Sequence, residues 1–437
     1  MRVHQAVVLI APEGRPGKRI LGLDPLERVL LTASQAGVTD FILVGPDGVD
    51  GEAVVSTLRG DKRFQERDIR PDFVPLSGLA ELGLRGRIRD RFWLMEEALV
   101  FSPEILDRIL RSCHGGKADL AVVNRRAPAG DGEYAGLALL SVDALARLAD
   151  ALRARGSAAP RGEFVDGVIP TPRRVTHDAG PDFCETVSSR EAARRAGHYL
   201  IGTARKPTDG FFSKHFNRYI STFLTRQLLK LDVTPMQISV VVLAVGLLSG
   251  WLVGRGGYRN ALLGALLFEL ASIIDGCDGE NARLTFRGSK LGGKFDIAGD
   301  AATFVFFFLN LPIGLYKSTR NDLWLILGAV SFLSMFLFYL QMGKYTKRTG
   351  IGNNIVAIVK DIEKSCDQPG FVGMIDRIAA KIAPVYRRDF FATWAFIFIA
   401  LGGAPVFMLI IAVLSPVETA YMFFYSRRRL RQADATA

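Results

Sequence analysis

Apolar positions fall along this chain in two regimes. Up to about residue 230 they form short runs broken by charge, and from residue 237 onward the runs lengthen to membrane-spanning size. The opening run, 4–11, has the continuous apolar character of a strand buried on both faces of a parallel sheet. A Gly/Pro loop over 12–17 follows, then a helical pattern over 26–36 and a second strand over 37–45. Strand, glycine loop, helix and strand predict a βαβ unit within a Rossmann-like α/β layer. Further strands are expected over 92–95, 120–124 and 136–140, helices over 103–113 and 142–155, and a small-residue basic loop over 154–162.

Between 205 and 230 the pattern changes. Phe211, Phe212, Phe216, Tyr219, Ile220, Phe223 and Leu224 mix i+3 and i+4 spacing, with cations on the other face. A helix lying in the bilayer interface has this distribution, and so has a soluble amphipathic helix; the position directly before the first span favours the interface. Six spans follow, over 237–254, 260–275, 296–316, 323–342, 390–401 and 404–425. About 20 residues are needed to cross a hydrocarbon core of about 30 Å, and the fifth run is short of that.

Charge then orients the whole. The formal net charge is +11, but Lys and Arg are spread through the connections between spans rather than gathered on one soluble surface, so a nucleic-acid partner is not expected. Arg283, Arg287, Lys290 and Lys294, the segment from Lys344 to Arg388, and Arg427 to Arg429 all fall on one side. The segment 6–11 is too short for the core of a signal peptide and Glu13 follows it. The N-terminal domain, these basic connections and the C-terminus are therefore expected on the cytoplasmic side of an inner or cytoplasmic membrane. Cys113, Cys184, Cys277 and Cys366 lie far apart with no CxxC, which indicates neither a zinc site nor a disulfide framework.

The second span ends in chemistry rather than in loop residues. Asp275, Asp278, Gly279 and Ala282 follow i, i+3, i+4, i+7 and share one helical stripe, while Gly292, Asp296 and Asp300 follow i, i+4, i+8 and share another. On antiparallel neighbouring helices the four carboxylates can face one another, with small residues leaving room for a ligand. Four such acids repel, and each is costly at membrane depth, so divalent cations would neutralise them. All-oxygen ligation suits Mg²⁺ or Mn²⁺, and a two-metal site can clamp a diphosphate. Arg283 adds a fixed cation for phosphate oxygens. Taken singly, each Asp is as well read as a helix-end cap or a salt-bridge partner; four at these spacings are not.

These residues match position by position the pattern D-x2-D-G-x2-A-R-x8-G-x3-D-x3-D, from Asp275 to Asp300, and so resemble the CDP-alcohol phosphotransferase family. The resemblance implies a six-helix, usually dimeric membrane fold and displacement of CMP from a CDP-linked donor. It implies that Asp275, Asp278 and Asp296 are metal ligands, and that Asp300 shares in metal binding and acts as general base. It further implies that Asp275, Gly279, Ala282, Arg283 and Gly292 border the cytidine diphosphate. Thr234-Pro235-Met236 resembles the family's Thr-Pro-Asn ahead of the first span, with Met236 departing from it.

The whole chain resembles fusions of a sugar-nucleotidyltransferase-like domain to such a membrane domain, as in enzymes that join an inositol-phosphate cytidylyltransferase to a di-inositol-phosphate lipid synthase. The opening βαβ unit, the segment 22–29, and 205–210 with Asn217-Arg218 carry that resemblance. The expected organisation is a nucleotidyltransferase-like α/β domain at 1–195, a linker and interfacial helix at 196–233, and an all-α transmembrane domain of six helices at 234–430. Pro12 and Glu13 depart from a phosphate-binding loop, and Glu96 or Glu97 stands where a metal-binding Asp is usual, so the first domain is expected to serve structure or regulation.

The function expected is transfer of a phosphatidyl-type group from a CDP-linked lipid donor to a small polar alcohol acceptor, inositol 1-phosphate being the acceptor that the fusion points to, within a homodimer surrounded by membrane lipids. The alternative is a bifunctional enzyme that also makes CDP-inositol from CTP and inositol 1-phosphate and transfers from it. Arg387 and Arg388 are candidate acceptor-binding cations, or equally interface anchors. An ion-coupled secondary transporter would use the same intramembrane acids, but the 275–300 segment has no repeat elsewhere in the chain.

Overall fold

The computed structural model describes residues 3–10, 19–77, 87–88, 91–112, 120–125, 133–142, 144–155, 174–178, 182–205, 213–350, 358, 361–362, 371–382 and 388–436. The chain divides into two compact units: Met1–Thr203 with Leu284–Phe286, and Ala204–Arg283 with Arg287–Ala437.

The first unit is built on strands β1 (Gln5–Leu9), β2 (Asp40–Gly45), β3 (Arg70–Pro75), β4 (Arg91–Glu96), β6 (Leu120–Arg125), β7 (Glu133–Ser141) and β8 (Arg174–Asp178). They form one sheet in the order β3-β2-β1-β4-β7-β6-β8, while β5 (Leu99–Phe101) pairs with β9 (Cys184–Thr186). β1 to β4 run parallel; β7 is antiparallel to both β4 and β6. Helices cover both faces, so adjacent residues of one strand enter opposite cores. Val8, Phe41 and Trp93 join one cluster, and Val7, Ile42, Phe92 and Leu94 join the other. Each fully buried side chain of this kind stabilises the fold by roughly 1.5–3 kcal/mol.

The helix Pro25–Gln35 begins where Asp24 accepts from the Leu26 amide at 3.1 Å, with Pro25 in its first turn. The expected helices over 103–113 and 142–155 are seen as Glu104–Ser112 and Ala144–Arg155. β3 and β8 escape the hydrophobic pattern because both are edge strands. β3 reads Arg-Pro-Asp-Phe-Val-Pro, and proline and charge are tolerated only where one side of the ladder is unpaired. The phosphate-loop segment 11–18 and most of the basic loop 154–162 lie outside the described residues.

Among the described residues of the second unit, five helices are long and apolar enough to cross a membrane: Pro235–Gly254, Tyr258–Thr285, Lys290–Thr319, Leu323–Thr349, and Ala404–Arg431 within the helix Ala404–Thr436. The run expected at 390–401 forms the helix Arg388–Ala400. At 1.5 Å per residue its 13 residues reach only about 20 Å. It nevertheless packs inside the bundle, where Ala392, Ala395 and Ile399 join Phe268, Phe307, Phe407 and Met408 in one buried cluster. Gly246, Gly250 and Gly254 line the approach of the first span to the third. A Cβ on Gly246 would fall 2.4 Å from the Thr303 methyl, so only glycine permits this separation.

Thr234 starts the first span with a capping box: its hydroxyl accepts from the Gln237 amide at 3.3 Å, and the Gln237 side chain accepts from the Thr234 amide at 2.9 Å. Met236, the departure from Thr-Pro-Asn, is an exposed position just inside that helix. Ahead of the span, the helix Arg218–Leu228 exposes Tyr219, Ile220 and Phe223 on its outer face, with Phe216 exposed in the turn before it, and buries Arg218, Ser221, Thr222 and Thr225. A helix that turns apolar residues outward and polar ones inward suits a hydrocarbon-facing surface. Residues 206–212 of the same stretch lie outside the described residues.

Candidate active site

The second span does not stop at Asp275. Its helix continues to Thr285, so the whole run from Asp275 to Arg283 is helical, and the third span begins at Lys290, six residues ahead of Asp296. A hydropathy pattern ends at the first charge, whereas hydrogen bonding carries a helix on for as long as nothing breaks it. Ser289 caps the third span by accepting from the Gly292 amide at 2.9 Å.

This geometry brings three of the four acids together. Asp275, Asp278 and Asp296 each offer a carboxylate oxygen, and the three oxygens lie within 4.8 Å of one another. Asp278 is buried and the other two are half-buried. The Ser239 hydroxyl, from the first span, donates to Asp278 Oδ2 at 2.6 Å. Three converging carboxylates, all oxygen donors, are a fitting set for a hard divalent cation.

Asp300 stands one turn beyond Asp296 and is not part of the trio. Its carboxylate ion-pairs with Arg388, whose Nη1 also lies 3.6 Å from Asp275 Oδ1. Arg388, the first residue of the short helix Arg388–Ala400, thus joins the two acidic stripes rather than standing apart as an interface anchor. Arg387 lies outside the described residues.

The small residues have distinct surroundings. Gly279 lies beneath the Arg283 guanidinium, which a Cβ on Gly279 would meet at 3.1 Å. Arg283 Nε donates to the Ala204 carbonyl at 2.7 Å, which fixes the side chain along the motif helix. Gly292 sits one turn ahead of Asp296, where a Cβ would meet only the Ser289 hydroxyl, at 3.0 Å; half-buried Ala282 follows Asp278 on the same stripe. Cys277 is buried among the acids with its thiol 3.4 Å from the Ser221 carbonyl, so it faces away from the trio.

Two features were not evident from motif spacing. Ser239 is one hydroxyl in an apolar span, and only its burial beside Asp278 marks it. Glu280 lies inside the motif at an unspecified position; it is buried and accepts from three side chains of the helix Arg218–Leu228.

Comparison with known proteins bears on this site directly. The profile of the CDP-alcohol phosphatidyltransferase family matches residues 232–359. This segment is similar to that family's domain. It contains Asp275 to Asp300 in full, and Arg388 lies beyond it.

Three curated relatives carry the name bifunctional IPC transferase and DIPP synthase. The chain is 28% identical over 362 residues to that of Archaeoglobus fulgidus, covering 76% of this chain and 70% of the relative. It is 29% identical over 332 residues to that of Rubrobacter xylanophilus, covering 69% and 73%. A shorter match to the Thermococcus kodakarensis protein is 36% identical over 148 residues, 34% of this chain and 32% of the relative, so it spans about a third of that protein's length. Among solved structures, a 4-diphosphocytidyl-2C-methyl-D-erythritol synthase from Anaerococcus prevotii aligns with 46% of this chain and 98% of its own, at 12% identity and a TM-score of 0.33. The inositol-1-phosphate CTP transferase of T. maritima aligns with 44% and 92%, at 12% identity and a TM-score of 0.31.

Proposed function

We propose that the membrane unit displaces CMP from a CDP-linked donor by the hydroxyl of a small polar alcohol. The observation that carries this is the convergence of Asp275, Asp278 and Asp296 within 4.8 Å at the end of the second span. These three hold Mg²⁺ or Mn²⁺, in a two-metal site that Asp300 helps to complete. When bound, the metal supplies positive charge against the donor's diphosphate. Arg283 binds phosphate oxygens through its planar donors, and Gly279, Ala282 and Gly292 leave the motif surface low enough for the cytidine diphosphate to lie against it. Asp300 accepts the proton of the attacking hydroxyl. The acceptor oxygen bonds to the phosphorus that carries the donor's alcohol, and CMP leaves with the electrons of the cleaved phosphoanhydride bond. Arg388 holds Asp300 in place and offers a cation to an anionic acceptor such as inositol 1-phosphate.

The relatives' shared name favours the bifunctional form of this reading over a membrane transferase alone. In that form the first unit makes CDP-inositol from CTP and inositol 1-phosphate, and the membrane unit transfers from it. The sheet topology supports a ligand site in the first unit. Strand order reverses at β1, which lies between β2 and β4, and ligands of open α/β sheets settle at the carboxyl ends of strands beside such a point. Glu96 ends β4 there in register with Leu9 of β1, and it is half-buried where Glu97 is fully buried. Glu96 is therefore the acid assigned to the metal of that unit. The chain acts as a homodimer, with the first unit, the acidic site and the C-terminus on the cytoplasmic side. The basic residues Lys344, Lys347, Arg348 and Arg427 to Arg429, at the ends of the fourth and last spans, support that orientation.

The test uses the purified full chain with Mg²⁺ or Mn²⁺. CDP-diacylglycerol and CDP-inositol are supplied in turn with inositol or inositol 1-phosphate, and CMP is measured; CTP with inositol 1-phosphate is assayed separately for pyrophosphate. CMP from either donor supports the membrane transferase, and pyrophosphate adds the first activity. No CMP from any combination would contradict the reading.

A further inference from the structure

The motif helix is gripped on the face opposite its acids. Glu280 is 0% exposed, and both of its carboxylate oxygens are engaged by the interfacial helix Arg218–Leu228. Oε1 accepts from Arg218 Nη1 at 2.8 Å and from the Ser221 hydroxyl at 2.8 Å, and Oε2 accepts from the Thr225 hydroxyl at 2.7 Å. One turn earlier, Arg218 Nη1 also donates to the Gly276 carbonyl at 3.3 Å. A Cβ on Gly276 would fall 2.9 Å from that Nη1 and 3.3 Å from the Ser221 Cβ, so the two helices meet closely there and a side chain at 276 would press on Arg218 and Ser221.

At about 100° per residue, Asp275, Asp278 and Ala282 lie roughly 140–160° around the helix from Glu280. Gly276, Cys277 and Glu280 form one face and the acids the other. A carboxylate oxygen about 6 Å from the axis moves by about 2 Å when a helix of this size turns by about 20°. Metal–ligand distances tolerate only about 0.2 Å. The rotation of this helix therefore decides whether Asp275 and Asp278 converge with Asp296, and the hydrogen bonds to Glu280 oppose that rotation.

The geometry points to Glu280 as a positioning residue. Held by Arg218, Ser221 and Thr225, it sets the rotation of the motif helix and so presents Asp275 and Asp278 to Asp296. The interfacial helix is thereby a working part of the acidic site, although none of its side chains belongs to the trio. This inference rests on the metal site proposed above.

The experiment compares the purified full chain with Glu280→Gln, Thr225→Val, Ser221→Ala and Thr222→Val. Thr222 serves as the control, because its hydroxyl donates to the Arg218 and Tyr219 carbonyls of its own helix and leaves Glu280 untouched. Mn²⁺ binding is read by electron paramagnetic resonance, thermal midpoint by a melting curve, and CMP release by steady-state kinetics. Glu280→Gln is expected to weaken Mn²⁺ binding by about 10-fold and to lower kcat by about 10–100-fold, with KM for the donor changed by less than about 3-fold. Thr225→Val and Ser221→Ala should show smaller losses of the same kind, and they carry the test if Glu280→Gln does not fold. Thr222→Val should leave Mn²⁺ affinity at the wild-type value. Wild-type Mn²⁺ affinity in the folded Glu280, Thr225 and Ser221 variants would overturn the positioning role while leaving the metal site intact, as would an equal loss in Thr222→Val. A wild-type chain that binds no Mn²⁺ would remove the metal site, and the positioning role with it.

Discussion

The hydroxyl of Ser239 donates to Asp278 Oδ2 at 2.6 Å, from a different span and with both residues buried. It fixes one oxygen of the most buried acid of the trio. Residues that orient a ligand in this way typically change metal affinity or rate by about 10–100-fold when removed. Ser239→Ala should therefore lower CMP release by at least about 10-fold and raise the metal concentration needed for half-maximal rate, with the protein still folded in the membrane. A metal titration of the rate checks both.

Arg388 ion-pairs with Asp300 and approaches Asp275, so its loss should strike the chemistry as well as the acceptor. Arg388→Gln is expected to lower kcat by roughly 10–100-fold, since Asp300 loses the group that holds it where the hydroxyl proton is taken. If Arg388 also meets the acceptor, KM for inositol 1-phosphate should rise more than KM for inositol. Comparing the two acceptors in steady-state assays separates these effects.

Asp361 is a stability site outside the spans. Burial alone would raise its pKa, but hydrogen bonds from Tyr345, Arg429 and Tyr425 outweigh burial and bring it below the ordinary carboxylate value. A carboxyl with a depressed folded-state pKa contributes stability that is present above its unfolded value, near 4, and is lost as pH falls through the folded one. Asp361→Asn should therefore lower the thermal midpoint at pH 7 and flatten its decline below about pH 4. Melting curves from pH 3 to pH 7 test this.

Glu96 separates the two proposed activities. Glu96→Gln should abolish pyrophosphate release from CTP and inositol 1-phosphate while leaving CMP release from a supplied CDP-linked donor at the wild-type rate. Coupled assays on one preparation decide it. A wild-type chain that releases no pyrophosphate would return the first unit to structure or regulation, as Pro12 and Glu13 alone imply.

Much of this was legible in the sequence for identifiable reasons. Strands β1, β2 and β4 are buried on both faces, so their apolar runs are continuous and visible. β3 and β8 are edge strands, where proline and charge erase the pattern. The motif's carboxylates are visible because acids stand at the end of an apolar span, where its hydropathy would forbid them. Spacing also placed Asp275 with Asp278, and the antiparallel pairing brought in Asp296. What spacing could not show is which groups from other helices meet these acids. The contact of Arg388 with Asp300 joins positions 88 residues apart, and that of Ser239 with Asp278 joins positions 39 apart. Glu280 was hidden for a related reason: its partners lie on a helix whose apolar residues face outward, so the inward polar face carries no hydrophobic signal.

The central claim is that Asp275, Asp278 and Asp296 form one metal site that drives CMP release. The most direct measurement is CMP release by purified Asp278→Asn beside wild type, across a titration of Mg²⁺ and Mn²⁺, with folding followed by thermal melting. Wild type should depend on the added divalent cation and stop in its absence. Asp278→Asn should retain the wild-type melting profile and lose at least about three orders of magnitude in rate at every metal concentration. Wild-type turnover by Asp278→Asn, or metal-independent release by the wild-type chain, would contradict the account.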